Sequence, residues 1–515
     1  MRTQTTHSRR LLNRLDSLVT RLYGWRHSPL HQPGTLAALM LVVMLVTGLY
    51  LVFGYRVGDP SGSVARLAAD PWLGGPIRSI HRYASDLFVI AALFHGFRMF
   101  AQRRTWGPRS LAWVSGLVLV GIGLICAWTG FVMAWDVFGA RLAIEGARWL
   151  DVLPIFSEPL SRIFSGDGPV PSAFFFVNLF LHIALPLAMG IGLWLHVSRV
   201  ARPTLLPPRL MSWTIIGILA VLAVVLPARL GAPADPFALP GDTPLNLVTA
   251  WWLPITERLG AGVVWLLGLV GAALLIAVPR FTRPRPEALA PSVVDPRLCT
   301  GCNQCPQDCP WEAITMVERD DDRPTLVARV DPTRCVSCGI CAGSCAPMGV
   351  GPPGRTGRDQ VGDVRELLRA SGVRGIVALC CDQAQAAHRA ALTQRGVTVR
   401  AIPCVGNLHS SVVELLIRGG AAGVIVYGCP PRDCVGREGP KWLVERLFHD
   451  REAELQPRVD RRRVQVATMA AGDLAGTLAA HEQFAKAVEA IAPTVPEPDP
   501  LLEQECAVAL TGEES

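Results

Sequence analysis

Six hydrophobic segments occupy roughly the first 280 residues, each near the length of about 20 residues that a helix needs to cross a bilayer. They cover approximately residues 34–54, 82–100, 111–135, 173–198, 212–228 and 260–279, and the fifth is the shortest. Half of all residues are apolar and 18% are charged, and the charged residues concentrate after residue 280. The sequence therefore predicts an α-helical membrane bundle of about six spans over residues 31–285, followed by a soluble region.

Arginine residues mark one side of the predicted bundle. They cluster in the N-terminal segment 1–30, in the connections 98–109 and 199–209, and at the exit 280–285. Because positively charged loops stay in the cytoplasm, that side is predicted to be cytoplasmic, and six spans place both termini there. These flanking arginines account for the net charge of +7, so we expect no nucleic-acid partner. We expect a multi-pass protein of the cell's inner (cytoplasmic) membrane with a cytoplasmic C-terminal region.

Four histidines lie in two of the hydrophobic segments at a repeated spacing. His81 and His95 belong to the second segment, His182 and His196 belong to the fourth, and both pairs are fourteen residues apart. Fourteen residues make nearly four helical turns, so each pair shares one helix face about 21 Å apart. His81 is predicted to face His182 near the outer side, and His95 to face His196 near the cytoplasmic side. Two such rungs are typical of two stacked haems with two histidine ligands each.

Two other segments repeat this spacing with glycine. Gly34 and Gly48 lie in the first segment, and Gly116 and Gly130 lie in the third. Because glycine lets a macrocycle approach closely, these four residues are predicted to make room for the haems. A single intramembrane histidine is equally well explained by a helix-packing hydrogen bond, but the combined pattern favours haem. The sequence contains no Cys-x-x-Cys-His motif, so the haems are predicted to be non-covalent and of b type.

The motifs around these histidines and glycines are specific. They read Val46-Thr47-Gly48-Leu49, Arg78-x-x-His81, His95-x-x-Arg98, Trp128-Thr129-Gly130-Phe131-Val132 and His182-x-x-Leu185-Pro186. Together they resemble the cytochrome b of cytochrome bc complexes over about residues 30–200. The resemblance implies that Arg78 and Arg98 hold haem propionates and that a quinone is the expected substrate. Arginines near a membrane interface also snorkel to the headgroups, which remains the alternative for both.

One part of the family pattern is altered. The family's outer quinol-oxidising segment ends in Pro-Glu-Trp-Tyr, and the segment of this chain that resembles it has Ala250 at the glutamate position. A normal outer quinol site with a Rieske partner is therefore not expected. Asp136, Glu145 and Glu257 are the candidates that could handle protons in its place.

Thirteen of the fifteen cysteines fall between Cys299 and Cys434. Their close spacing predicts metal ligands in a reducing compartment rather than disulfides. Eight of them form the pattern Cys-x2-Cys-x2-Cys-x3-Cys twice, which resembles bacterial two-cluster ferredoxins and favours iron–sulfur clusters over two zinc sites. The resemblance predicts a ferredoxin-like α+β domain over 291–352 with two [4Fe–4S] clusters. One would be held by Cys299, Cys302, Cys305 and Cys345, and the other by Cys335, Cys338, Cys341 and Cys309.

From about residue 360 the pattern alternates between helices and strands, which predicts an open α/β domain over 360–467. Buried parallel strands are predicted at 375–379, 397–402, 423–427 and 464–467, with helices near 383–394, 409–418 and 440–449. Cysteines come at the ends of three strands, namely Cys380 with Cys381, Cys404, and Cys429 with Cys434. Because the carboxyl ends of parallel strands meet at one edge of the sheet, a cluster is predicted there.

The sequences of two of these elements carry a further resemblance. Ile402-Pro403-Cys404-Val405-Gly406 and Gly428-Cys429-Pro430-Pro431-Arg432-Asp433-Cys434 resemble the delta subunit of methyl-viologen-reducing hydrogenase. The resemblance implies a [2Fe–2S] cluster and a link to a hydrogenase or a heterodisulfide reductase. That family normally begins with Cys-x-x-Cys, so either Cys380 or Cys381 could be the ligand here, and buried structural cysteines remain the alternative. A helical and acidic tail is predicted over 468–515.

The order of these parts predicts a route for electrons. The sequence has no evident flavin, nickel, molybdenum or nucleotide site, so substrate chemistry is expected on a partner subunit. We predict a membrane electron-transfer subunit, with three iron–sulfur clusters and two b haems, between the quinone pool and a cytoplasmic partner. That partner could be a flavoprotein, a hydrogenase, a formate dehydrogenase or a heterodisulfide-reductase-like subunit. The alternatives are a redox sensor, or a structural membrane anchor with non-conducting metal centres.

Overall fold

The computed structural model describes residues 7–491, apart from residues 27, 156, 165–168, 199–202, 236–245, 284–289, 372, 384–385, 432 and 450. The last part of the predicted tail, 492–515, therefore lies outside the described residues, as do parts of the arginine-rich connections. The chain divides into two compact bodies. We call Met1–His31 together with Pro284–Ser515 the cysteine-rich body, and Gln32–Arg283 the membrane body.

Helix α1 (His7–Tyr23) opens the chain and is part of the cysteine-rich body. The helices of the membrane body are α2 (Pro33–Gly54), α3 (Pro60–Ala69), α4 (Gly74–Ala101), α5 (Ser110–Ala134), α6 (Val137–Asp151), α7 (Ser172–Ser198), α8 (Arg209–Val225), α9 (Leu253–Leu259) and α10 (Ala261–Thr282). In the described part of the chain, five helices are long and apolar enough to cross a membrane: α2, α4, α5 with its preceding turn, α7 and α10. The predicted multi-pass helical bundle is confirmed. A sixth crossing by α8, which is apolar but only 17 residues long, stays a prediction.

The packing of the bundle places each glycine-bearing helix beside a histidine-bearing helix. Helix α2 runs along α4, and α5 runs along α7. The core between them is apolar and tightly closed, with Met40, Ala84 and Val89 at most 2% exposed. Proline at the first position of α2 fixes where that helix begins, because its missing N–H would have no partner there anyway. The bundle therefore presents the two glycine pairs to the two histidine pairs.

The ferredoxin-like segment consists of short elements. They are β1 (Val293–Val294), α11 (Gln304–Asp308), β2 (Ile314–Val317), β3 (Val327–Val330), α12 (Ile340–Gly343) and β4 (Val350–Gly351). Strands β2 and β3 form an antiparallel pair with Ile314 opposite Val330, and β1 pairs with β4. Each short helix follows a residue in the left-handed region, Asn303 at φ 62° and Gly339 at φ 78°. The two halves thus repeat the same sharp turn before the same short helix.

The α/β segment contains α13 (Gly357–Ser371), β5 (Ile376–Cys381), α14 (Ala386–Gln394), β6 (Thr398–Ile402), α15 (Ser410–Arg418), β7 (Gly423–Gly428), α16 (Gly439–Phe448), β8 (Val464–Thr468) and α17 (Leu474–Glu489). Its four strands are parallel in the order β6-β5-β7-β8, with Cys380 opposite Ala401 and Tyr427. The predicted strands are all present, but β5 extends two residues further than expected. Cys380 and Cys381 therefore belong to the strand rather than following it.

Candidate metal centres

The structure brings the imidazole rings of His81 and His182 close together inside the membrane body. Their ring centroids are 6.2 Å apart, and the ring planes are inclined by 58°. A metal ion between two imidazole nitrogens needs about 2 Å to each nitrogen, plus the short distance from each nitrogen to its ring centre. The gap between the rings therefore fits one metal ion with two histidine ligands. His95 and His196 are also close enough for the charge of one ring to affect the other.

Each of the four glycines faces one of the four imidazoles. A Cβ atom placed on the glycine would lie within 2.8–3.3 Å of the Cε1 atom of that histidine. The pairs are Gly34 with His95 at 2.9 Å, Gly48 with His81 at 3.2 Å, Gly116 with His196 at 3.3 Å, and Gly130 with His182 at 2.8 Å. Since ordinary contacts begin at about 3.4 Å, any side chain here would push the ring. The glycines thus make room for the histidine rings themselves.

Hydroxyl groups hold three of these rings by Nδ1. Thr47 Oγ1 lies 2.9 Å from Nδ1 of His81, Ser115 Oγ lies 3.0 Å from Nδ1 of His196, and Thr129 Oγ1 lies 3.0 Å from Nδ1 of His182. The backbone carbonyl of Cys126 also lies 3.0 Å from Nδ1 of His182. With Nδ1 engaged, Nε2 is the nitrogen available to a metal.

Sequence reasoning missed these hydroxyl partners, although a signal was present. Each hydroxyl residue immediately precedes one of the glycines, because both face the same ring from neighbouring positions of one helix. Pro33 stands at the equivalent place before Gly34, so the same hydroxyl bond is not available to His95. In the His81–His182 rung both rings therefore have a hydroxyl partner, whereas in the other rung Ser115 provides one for His196.

The two arginines predicted to bind propionates have different surroundings. Arg78 Nη1 donates a hydrogen bond to the carbonyl of Ala228 at 2.7 Å. Arg98 is 1% exposed and lies one turn beyond His95 on α4. On the same helix, Arg82 forms an ion pair with Asp86 at 2.6 Å. This ion pair explains how the charged Asp86 carboxylate can lie among the apolar residues of α4. The propionate role of Arg78 and Arg98 remains a prediction.

The three acidic residues that are candidates to replace the missing glutamate already have hydrogen-bond or ion-pair partners. The Asp136 carboxylate caps α6 and accepts two backbone N–H groups at 2.8 and 2.9 Å. Glu145 pairs with Arg148 at 2.6 Å, and Glu257 pairs with Arg141 at 2.6 Å. The three acidic side chains thus have structural partners in the described part of the chain. Each of them could accept a proton only by giving up one of these partners.

Aromatic side chains fill the neighbourhood of the altered segment. Ala250 is 1% exposed within an apolar cluster that includes Leu253. Trp149 stacks between Trp252 and Trp265, with ring centroids 5.3 and 5.1 Å apart. Three indole rings and an apolar cluster therefore pack around the segment that carries Ala250.

The eight ferredoxin-type cysteines line two separate cavities. One cavity is lined by Cys299, Cys302, Cys305 and Cys345. The other is lined by Cys309, Cys335, Cys338 and Cys341. The grouping is the predicted crossed one, in which each cavity takes three cysteines from one repeat and one from the other. Ligation itself remains a prediction.

Hydrogen-bond donors point at the sulfurs of both sets. Ser292 contributes its N–H to Cys335 Sγ at 3.4 Å and its hydroxyl to Cys341 Sγ at 3.3 Å. The Gly349 N–H reaches Cys345 Sγ at 3.3 Å. Burial raises the pKa of the Cys341 thiol, so a bound cation would be needed to ionise it. Buried thiols with donors aimed at sulfur are the surroundings that an iron–sulfur cluster requires.

The third set gathers at the carboxyl end of the α/β sheet. Cys381 and Cys429 Sγ lie 3.6 Å apart, and Cys404 and Cys434 form a second hydrogen-bonded pair. Cys380 lies on the opposite face of β5, because side chains alternate along a strand, and neighbours Arg389 and Tyr427 there. The geometry favours Cys381 over Cys380 as the ligand.

The arrangement in two sulfur pairs suits a two-iron cluster. Two thiolates on one tetrahedral metal at about 2.3 Å lie roughly 3.7 Å apart, which is close to the Cys381–Cys429 separation. Among the described residues, no three cysteine sulfurs lie within 4.8 Å of one another. Gly436 and Gly439 leave room beside this set, since a Cβ on Gly439 would lie 3.0 Å from Cys404 Sγ.

Two of the cysteine sets adjoin each other within the cysteine-rich body. The second set is Cys309, Cys335, Cys338 and Cys341, and the third set is Cys381, Cys404, Cys429 and Cys434. A Cβ on Gly436 would contact both Cys404 Sγ at 3.4 Å and Cys338 Cβ at 4.0 Å. Cys338 also interacts electrostatically with Cys434. One residue therefore separates the sulfurs of the two sets.

A buried polar network fastens the ferredoxin-like segment to the α/β segment. The Asp308 carboxylate accepts the Ser344 hydroxyl at 2.6 Å and pairs with Arg451, while Arg446 lies 3.9 Å away. Arg446, 1% exposed, donates to Ser344 Oγ at 3.0 Å and to the Gly406 carbonyl at 2.7 Å. Burial lowers the pKa of Arg446 to about 10, and Asp308 opposes this, so the guanidinium stays charged at neutral pH.

Comparisons with known proteins match three consecutive segments of the chain to three families. Residues 26–204 match the family described as cytochrome b/b6/petB, residues 298–349 match a 4Fe-4S dicluster domain, and residues 376–492 match the delta subunit of methyl-viologen-reducing hydrogenase. The three predicted resemblances are therefore confirmed. A solved structure described as hyperthermophilic respiratory Complex III is 16% identical, with a TM-score of 0.39, over 48% of this chain and 74% of that chain.

Proposed function

We propose that this chain, a multi-pass membrane protein with cytochrome b-like, dicluster and hydrogenase-delta-like segments, is the electron-transfer subunit of an oxidoreductase complex. It passes electrons between the quinone pool and a cytoplasmic dehydrogenase, hydrogenase or heterodisulfide-reductase-like partner. When bound, two b haems, two [4Fe–4S] clusters and one [2Fe–2S] cluster supply the one-electron carriers. The cysteine-rich body faces the cytoplasm of a cell whose inner membrane holds the helical bundle.

The observation that carries this proposal is the contact between the second and third cysteine sets. A single glycine, Gly436, lies between Cys404 and Cys338. Neighbouring carrier sites in one packed body support transfer from one to the next, with the set of Cys335, Cys338, Cys341 and Cys309 in the middle. A structural anchor has no use for such neighbouring sites, and a redox sensor needs one responsive centre rather than two in contact. The arrangement therefore favours conduction.

We further propose that quinone reacts near the His95–His196 rung rather than near the outer rung. Ala250 removes the outer carboxylate, and Asp136, Glu145 and Glu257 are all engaged in caps or ion pairs. A quinone needs a group that can exchange protons, and each of these three carboxylates would have to give up a structural contact to do so.

Redox titration of the purified full-length chain tests the proposal. We expect two b-haem transitions in the optical spectrum, and signals of two [4Fe–4S] clusters and one [2Fe–2S] cluster by EPR. Fewer than two b haems, or no iron–sulfur signal, would refute the electron-transfer assignment.

The location of the quinone site is tested separately. Reduction of a quinone analogue by the chemically reduced chain is measured for His95→Leu and, as the matched control, His81→Leu. We expect the first variant to lose the reaction and the second to keep it. Loss of the reaction in both variants would place quinone at the outer rung, because electrons reach that rung through the His95–His196 rung, and it would leave the electron-transfer assignment intact.

A further inference from the structure

Arg437 has a backbone conformation that side-chain-bearing residues rarely adopt. Its φ of 69° lies in the left-handed region, where glycine is the usual residue because it carries no Cβ. The Arg437 N–H donates to the Cys434 carbonyl at 3.0 Å, which fixes this turn. A backbone of this kind persists where the surrounding contacts over-determine it. The side chain of Arg437 is therefore expected to make contacts that a glycine could not.

The side chain of Arg437 reaches the loop that follows Cys309. Its Nη1 donates a hydrogen bond to the Pro310 carbonyl at 2.7 Å. Its guanidinium carbon lies over the face of Trp311, 5.4 Å from the ring centre. Pro310 and Trp311 both line the cavity of the second cysteine set. The positive charge of Arg437 is therefore held beside the residues that enclose that cavity.

The same arginine is tied to the third cysteine set. Cys434, whose carbonyl accepts the Arg437 N–H, is buried and interacts electrostatically with Cys338 of the second set. The residue before Arg437 is Gly436, on which a Cβ would lie 3.4 Å from Cys404 Sγ. Arg437 thus has one hydrogen bond to a cysteine of the third set and another to the residue that follows a cysteine of the second set.

We propose that Arg437 sets the reduction potentials of the second and third sites together. This inference rests on the proposed iron–sulfur function of both sets. Reduction adds one negative charge at a site without forming or breaking a bond, and a fixed cation beside the site stabilises the reduced state. In a packed protein interior this attraction is stronger than in water. Because one guanidinium raises both potentials, the difference between them, which drives transfer from one site to the other, changes little.

Redox titration of the full-length protein, followed by EPR, tests the proposal in Arg437→Gln. This variant removes the charge but keeps a polar side chain. We expect the one-electron reduction constants of the [2Fe–2S] cluster and of one [4Fe–4S] cluster to fall about tenfold, a shift of about 60 mV to lower potential. The [4Fe–4S] cluster of the other ferredoxin-type cavity serves as an internal reference, and its transition is expected to stay in place.

Two further variants separate the charge of Arg437 from its shape. Arg437→Lys keeps the positive charge but lacks the planar group that stacks on Trp311. It is expected to retain both potentials while lowering the thermal stability of the iron–sulfur absorbance. Arg437→Met is a second neutral variant whose stem can still pack on the indole, and it is expected to shift the potentials as Arg437→Gln does. A residue that only fastened the two loops would give stability losses in these variants and no shift in potential.

Arg463→Gln is the matched control. Arg463 is a buried arginine of the same body whose Nη1 donates to the Ala422 carbonyl at 2.8 Å. Ala422 stands at the amino end of β7, whereas the cysteines gather at the carboxyl end, so this variant is expected to leave all three iron–sulfur potentials unchanged.

Unchanged potentials in the neutral Arg437 variants would overturn the proposal. Equal shifts in Arg437→Lys and Arg437→Gln, or the same shifts in Arg463→Gln, would also overturn it. Absence of iron–sulfur signals from the wild-type protein would instead contradict the proposed function itself, and this inference with it.

Discussion

Replacing Gly130 by alanine is expected to remove one haem while leaving the bundle folded. The added Cβ would lie 2.8 Å from Cε1 of His182, about 0.6 Å inside the 3.4 Å at which ordinary contacts begin. Metal–ligand distances tolerate about ±0.2 Å, so a ring displaced by about 0.6 Å no longer holds its ligand position. The backbone of α5 does not suffer, because alanine is the better helix former by about 1 kcal/mol.

The four glycines provide a graded series for the same reasoning. At Gly116 the new Cβ would lie 3.3 Å from Cε1 of His196, so that ring needs to move by only about 0.1 Å. Gly116→Ala is therefore expected to keep both haems, with Gly34 and Gly48 giving intermediate results. Gly121→Ala is the matched control on the same helix, because a Cβ there meets nothing within 4 Å.

Haem content per polypeptide, from the pyridine haemochrome spectrum of the purified protein, decides the matter. We expect close to one haem for Gly130→Ala and two for Gly116→Ala and Gly121→Ala. Two haems with unchanged potentials in Gly130→Ala would refute the argument that the glycine makes room for the ring. Equal loss of haem at Gly116 and Gly130 would show that the distances do not set the effect.

Three further predictions concern the cysteine-rich body. Cys381→Ser is expected to abolish the [2Fe–2S] EPR signal while Cys380→Ser keeps it, and the reverse result would exchange the two assignments. Ser292→Ala removes one hydroxyl bond to Cys341, worth about 1 kcal/mol, so the midpoint potential of that [4Fe–4S] cluster should fall by about 40 mV; an unchanged titration would contradict this. Asp308→Asn leaves buried guanidinium charge without its partner and is expected to cost about 3 kcal/mol, measured as earlier thermal loss of iron–sulfur absorbance at unchanged haem absorbance. Identical melting of the wild type and this variant would count against the network.

The grouping of ligands was the part most open to prediction from sequence. The fourteen-residue spacing follows from the helix period, so His81 could be paired with His182 from the sequence alone. The cavities lined by Cys299 and by Cys335 follow equally from the repeated cysteine spacing. In both cases the geometry that the site requires determines the spacing of a few residues in the sequence.

What the sequence left open depended on where an element ends or on distant contacts. The choice between Cys380 and Cys381 required knowing that β5 continues to Cys381, because strand alternation then separates their side chains. The hydroxyl residues stand directly before the glycines in the sequence, but their contacts with the histidine rings were established only by the packing of α2 and α5 against those rings. The engagement of Asp136 with backbone N–H groups, which removes it as a free carboxylate, could not be read from its position.

The union of the two iron–sulfur segments has a direct consequence for electron transfer. Asp308 and Arg446 are far apart in sequence, and each would be a costly buried charge in a segment folded alone. Their joint burial, together with the bond from Asn407 Nδ2 to the Gly339 carbonyl at 3.0 Å, holds the segments in one orientation. Cys338 and Cys404 therefore keep a fixed separation. The second and third cysteine sets are therefore already assembled as neighbours in this body, rather than lying on domains that must first find each other.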